Sequence, residues 1–179
     1  MISVCARFIT LQIQSFSQIG RRVQIGYDVV ATFNIFAYRG IMKHRLEALR
    51  RVSRLEEPRI AIVSMWDVEN NAVRILAATL RAAGHSVVEI YFKDWISNDL
   101  EPASDKQLQS LAKIIRREEV NLVALSIRAS SYANQAKIIT EYVQNEMDLA
   151  VLWGGMHPTL MSQQCMETAD LVLQGEAEY

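Results

Sequence analysis

From Arg59 onward the chain alternates two kinds of segment. Short runs that are apolar at nearly every position are separated by longer stretches whose apolar residues recur every three or four positions. Residues 60–65, 86–92, 122–127, 149–153 and 170–173 are runs of the first kind and read as buried strands. Between them, residues 70–83 put Val73, Leu76, Ala77 and Leu80 on one helical face and end at Gly84, a common helix stop. Residues 104–118 put Leu108, Leu111, Ile114 and Ile115 inward, with Ser104 as a candidate N-cap. A third helix is read over 132–145 and a short one over 159–167. Apolar strands alternating with amphipathic helices predict a doubly wound, five-stranded parallel sheet covered on both faces.

The region before Arg59 follows different rules. Residues 1–41 show no sustained period and are left as an unassigned leader; one expectation is that Met42 is the native start, because a charged helix begins there. Residues 42–57 read as a basic helix with Leu46, Leu49, Val52 and Leu55 spaced by three, stopped by Pro58. The division is therefore a leader at 1–41, a basic helix at 42–57 and the α/β domain at 58–179.

Composition narrows the function classes. The 179-residue chain is 50% hydrophobic and 22% charged, with net charge −1, so no global field favours nucleic acid or an anionic membrane. The balance is uneven: up to Pro58 nine Lys/Arg stand against four Asp/Glu, and from Arg59 ten stand against sixteen. No charge-free apolar segment is long enough for a membrane span, and no secretory signal is recognisable. Cys5 and Cys165 fit no disulfide framework, so a reducing cytoplasm is the default. The chain has no C-x-x-x-C-x-x-C spacing, so an iron–sulfur cluster has no ligand set.

In doubly wound sheets the ligand sits outside the carboxyl ends of the strands. That rule selects four loops. The first runs through Asp67, Val68, Glu69 and Asn70; its polar groups can bind a ligand, or Asp67 or Asn70 can cap the next helix. The second holds Ser126, Ile127, Arg128, Ser130 and Ser131; small hydroxyl residues let a planar ligand approach, and Ser130 and Ser131 can equally cap the third helix. The third holds Gly154, Gly155 and His157. Its glycines permit positive φ and close backbone approach, or simply a tight turn. His157 is read as a satisfied loop histidine in preference to a metal ligand. The last loop holds Gly175 and Glu176.

Together these loops resemble the cobalamin-binding domain at the front of many radical S-adenosylmethionine enzymes. That family shows an apolar strand, G-G-x-H-P-T, a short helix, an Asp with a second apolar strand, and G-E-x-E. Here the pattern falls on Gly154, Gly155, His157, Pro158, Thr159, Asp170, Gly175, Glu176 and Glu178, with Ala177 where Gly is usual. The stretch 76–87 also looks like the family's first helix and second strand. The resemblance covers about residues 58–179. It implies a flavodoxin-like fold with the corrin ring over the strand ends. Its lower face would meet Asp67–Asn70 and Ser126–Ser130, and its nucleotide tail would run beside Gly154 and Gly155. Methionine-synthase-type relatives carry D-x-H-x-x-G in the first loop; here Glu69 and Ala72 replace the His and the Gly. The expectation is base-off cobalamin with no imidazole from that loop on cobalt. The resemblance also implies a downstream radical domain holding the iron–sulfur cluster and S-adenosylmethionine. The chain is accordingly expected to be a fragment that binds cobalamin without catalysing, the parent being a methyltransferase or related enzyme.

Two other readings remain, a flavodoxin-like or receiver-like binding module and a fragment of a nucleotide-sugar enzyme. A receiver domain needs an acceptor Asp after the third strand, where this chain has Ser126-Ile127-Arg128. A flavodoxin needs a hydroxyl-rich phosphate loop after the first strand, where this chain is acidic. A nucleotide-sugar enzyme would show G-x-G-x-x-G, which is absent. A domain that keeps the fold as a cofactor-free scaffold stays open.

Overall fold

A computed structural model describes residues 34–36, 43–55, 57–93 and 101–175 of the chain. The sheet strands are β1 (Asn34–Phe36), β2 (Arg59–Met65), β3 (Ser86–Phe92), β4 (Leu122–Ser126), β5 (Ala150–Gly154) and β6 (Leu171–Gln174). Their order is β1-β6-β5-β4-β2-β3. The five from β2 to β6 are all parallel. The chain winds from β2 out to β3, then returns to β4 and continues the other way, so the switch point lies between β2 and β4. This is the flavodoxin-like arrangement, as the alternation of segments predicts.

β1 is an addition. It runs antiparallel to β6, with Asn34 opposite Gln174 and Phe36 opposite Val172. Three residues are too few to display a period, which is why the sequence leaves them unassigned. Residues 1–33 and 37–41 of the leader, and Met42 after it, lie outside the described residues.

Each face of the parallel sheet has its own apolar layer, so both phases of every strand are apolar. On one face α1 (Lys43–Ser53) and α2 (Asn71–Ala82) bring Leu49, Val52, Val73 and Ala77 onto Ile60, Ile62 and Leu171. On the other, α3 (Asp105–Arg117) and α4 (Ala133–Met147) bring Leu111, Ile115 and Ile139 onto Val63, Leu125 and Val151. The basic helix is thus part of the packed domain. It is also tied to it at the surface, where Arg51 pairs with Asp148 at 2.7 Å.

Two helices differ from the expectation by more than a residue or two. α1 stops at Ser53, four residues early, and leaves Leu55 exposed; the residue before a proline resists the helical region, and here the unwinding has begun before it. The helix expected over 159–167 is two short ones, α5 (Met156–Leu160) and α6 (Ser162–Cys165). Pro158 falls in the first turn of α5, where its missing N–H costs nothing. Among the described residues no helix is long and apolar enough to cross a membrane.

Candidate functional site

Strand register brings Ser64, Ser126 and Gly154 onto one row at the carboxyl ends of β2, β4 and β5. Three small residues side by side leave these central strand ends low. Asn70 is the hub above them. It is buried, and its Oδ1 accepts from the Val73 backbone N–H at 3.2 Å, capping α2. Its Nδ2 donates to Ser64 Oγ at 3.0 Å and to Ser126 Oγ at 3.2 Å. One side chain therefore caps a helix and ties the first loop across the switch point.

Asp67 divides its carboxylate between two tasks. Oδ1 accepts from the Glu69 backbone N–H at 3.1 Å, which folds the loop on itself. Oδ2 accepts from the Arg128 guanidinium at 2.6 Å. The Asp67 side chain is 14% exposed and that of Arg128 64%. Ser64 Oγ, in turn, donates to the Asp67 carbonyl at 2.9 Å. Val68 and Glu69 point outward from this loop and are exposed.

The second and third loops are sewn together through backbone. Ile127 N–H donates to the Gly154 carbonyl at 2.8 Å, and His157 N–H donates to the Ile127 carbonyl at 3.1 Å. Gly155 has φ +104°, and a Cβ there would stand 3.0 Å from the Ile127 carbonyl oxygen. Its glycine is thus required by protein packing. Gly154 is different: a Cβ there meets its nearest neighbours only at 3.8 Å. His157 is buried, with Nδ1 3.0 Å from Ser130 Oγ, and burial lowers its pKa. Ser130 lies in a short 3₁₀ turn (Ser130–Tyr132) and makes no capping bond to α4; the capping reading of Ser130 and Ser131 is corrected by this turn, which spaces them from the helix start. Gly175, at φ +87°, donates its N–H to Thr159 Oγ1 at 3.0 Å. Glu176 lies outside the described residues.

Three residues at this edge escape the sequence reading. Trp66, directly after β2, holds φ +53° and is buried. Its ring lies 5.1 Å from that of Tyr132, and the Lys93 ammonium stands 5.5 Å over it. Burial raises the Tyr132 pKa, against the opposing field of Arg128. The indole Nε1 has no partner among the described residues. The visible signal is a large aromatic immediately preceding an acidic loop, but its neighbours come from loops that only strand order brings together.

Of the other family positions, Asp170 sits at the opposite edge. Its Oδ2 accepts from the Val151 backbone N–H at 2.8 Å and from Gln144 Nε2 at 3.0 Å, so it fastens β6 to β5. His85 also lies at that far edge, just before β3. Among the described residues no group of three or more His, Cys, Asp or Glu could hold a metal ion.

Fold and edge together define a doubly wound α/β domain, with small and polar residues gathered at the carboxyl ends of its parallel strands, the edge at which such folds bind ligands. A family model described as B12 binding domain matches residues 59–179. The match spans well over half of the chain, and the chain belongs to the B12-binding domain family. Membership supports cobalamin as its ligand. A search of curated protein sequences finds no match to the chain.

Proposed function

We propose that the chain holds cobalamin over the carboxyl edge of its sheet in the base-off form, with no protein imidazole on cobalt. The carrying observation is Glu69: it stands in the first loop where a ligating histidine would be needed, and it is exposed. Neither histidine whose side chain is described replaces it, since His157 is buried against Ser130 and His85 lies at the far edge.

The residues present fit such a group. The low row of Ser64, Ser126 and Gly154 leaves space for a broad planar ligand, and room beside Gly154 suits an extended tail. Asp67, Val68, Glu69 and Asn70 with Ser126, Arg128 and Ser130 would lie under the corrin. Gly154 and Gly155 would line the tail, with Gly175 close to them through Thr159 and with Ile127 and His157 holding that loop in shape. Bound cobalamin would supply a cobalt-borne methyl group or a reducible cobalt centre, with no strong lower ligand to stiffen it. The chain's own contribution is to bind, orient and shield. The reading extends to the parent protein: a radical S-adenosylmethionine enzyme, of methyltransferase or related type, whose downstream domain holds the iron–sulfur cluster and S-adenosylmethionine.

The test is a visible absorption titration of the full chain with hydroxocobalamin, followed by gel filtration. Co-elution with a base-off spectrum is the expected result. Retention with a base-on spectrum would keep cobalamin and overturn the ligation. A folded chain that retains none would leave the domain as a cofactor-free scaffold.

A further inference from the structure

The Asp67–Arg128 pair calls for a physical reason. Its members are 61 residues apart in sequence and meet across the switch point at 2.6 Å. An ion pair whose guanidinium is 64% exposed adds little to folding. Other pairs, such as Arg51–Asp148 and Arg81–Glu89, join helices to neighbouring loops or strands. This one joins two loops at the ligand edge, beside the row of Ser64 and Ser126. The Asp67 carboxylate is also held by its turn, through the Glu69 N–H, and its backbone carbonyl by Ser64. Arg128 is therefore anchored to a carboxylate that cannot readily move away.

We propose that Asp67 and Arg128 form a charge-compensating pair that sets the electrostatic potential felt by cobalt when cobalamin is bound. The inference rests on the cobalamin reading and deepens it. Arg128 presents a fixed positive charge that favours the more electron-rich state of the cofactor. Asp67 offsets most of that charge and holds the guanidinium in one place. In the base-off form proposed above, fixed charge near the cofactor would be a lever that this chain's own residues supply for tuning the metal. Both are positioning residues, since they act through their field.

The test is potentiometric. The full chain is loaded with cobalamin, and the one-electron couple between cob(II)alamin and cob(I)alamin is titrated, the electron coming from an added chemical reductant. Asp67→Asn keeps an acceptor for the Glu69 N–H but removes the negative charge, so the midpoint potential should rise. Arg128→Gln removes the positive charge, so it should fall. The double variant should return towards the starting value. Arg128→Lys keeps the charge without the planar fork and should stay near wild type, which separates charge from local packing. Circular dichroism checks that each variant is folded. Opposite shifts with rescue by lysine support the pair. Bound cofactor with unshifted potentials, or shifts of one sign in both single variants, overturns it while leaving cobalamin binding intact. Failure of the wild-type chain to retain cobalamin would overturn both readings together.

Discussion

His157 Nδ1 lies 3.0 Å from Ser130 Oγ, joining the loop after β5 to the loop after β4 at the carboxyl edge. The two backbones are already bonded through Ile127, so the side-chain contact completes a closed seam between them. The imidazole is buried, and the seam is built for its neutral form.

That burial fixes a pH dependence. An unfolded histidine binds its proton near pH 6.5. In the fold, burial holds His157 below that value, and burial does the same to His85 against the weaker pull of Glu57. Across the interval beneath about 6.5 the unfolded chain therefore binds more protons than the folded one. Stability from these groups is full above that pH and is lost as pH falls through the interval. Urea unfolding between pH 8 and 5 should show this decline. Asparagine can keep a polar contact near Ser130 but does not titrate, so His157→Asn should flatten part of the slope. An unchanged slope would mean that His157 does not contribute.

The two adjacent glycines should separate packing from ligand access. Gly155→Ala puts a side chain at φ +104° and 3.0 Å from the Ile127 carbonyl oxygen; backbone strain of this kind costs on the order of 1–3 kcal/mol. Gly154→Ala has ordinary clearance, and replacing a strand glycine by alanine is neutral or gains roughly 0.5–1 kcal/mol. Thermal unfolding should rank Gly155→Ala well below wild type and Gly154→Ala at or above it. If the nucleotide tail passes beside Gly154, the Gly154→Ala chain should be fully folded yet bind cobalamin more weakly. Equal destabilisation of the two variants would contradict the geometry.

The regular part of the fold is legible in the sequence because both periodicities are strong. Residues such as Ile62 and Val63 are buried on opposite faces of the sheet, so strands read as unbroken apolar runs. Helix faces such as Leu108, Leu111 and Ile115 read at their proper spacing. The position of the candidate site follows from the switch-point rule alone. What stays hidden is what tertiary structure decides. Asp67 and Arg128 are both visible as loop residues, but their pairing depends on β2 and β4 being neighbours. Trp66 sits under Lys93 because β3 lies on the other side of β2. The different duties of Gly154 and Gly155 follow from the path of Ile127, 27 residues before Gly154 in a chain that gives no sign of the approach. Asn70 shows as a helix cap by its type and place, whereas its link to Ser126 does not.

That second duty of Asn70 can be measured apart from the first. Asn70→Ala removes both the cap on Val73 N–H and the donor to Ser64 and Ser126. Losing a cap of this kind costs about 1 kcal/mol, up to roughly 2. Asn70→Ser keeps a hydroxyl acceptor for Val73 N–H, since serine caps a helix about as well as asparagine, but its side chain is too short to reach Ser126. Global stability should therefore fall in Asn70→Ala and be largely kept in Asn70→Ser. Amide hydrogen exchange over residues 66–70 should quicken in both, because in both the loop loses this bond to β4. If Asn70→Ser exchanged as slowly as wild type, the tie across the switch point would be carried by Asp67 and Arg128 alone, and Asn70 would be reduced to a cap.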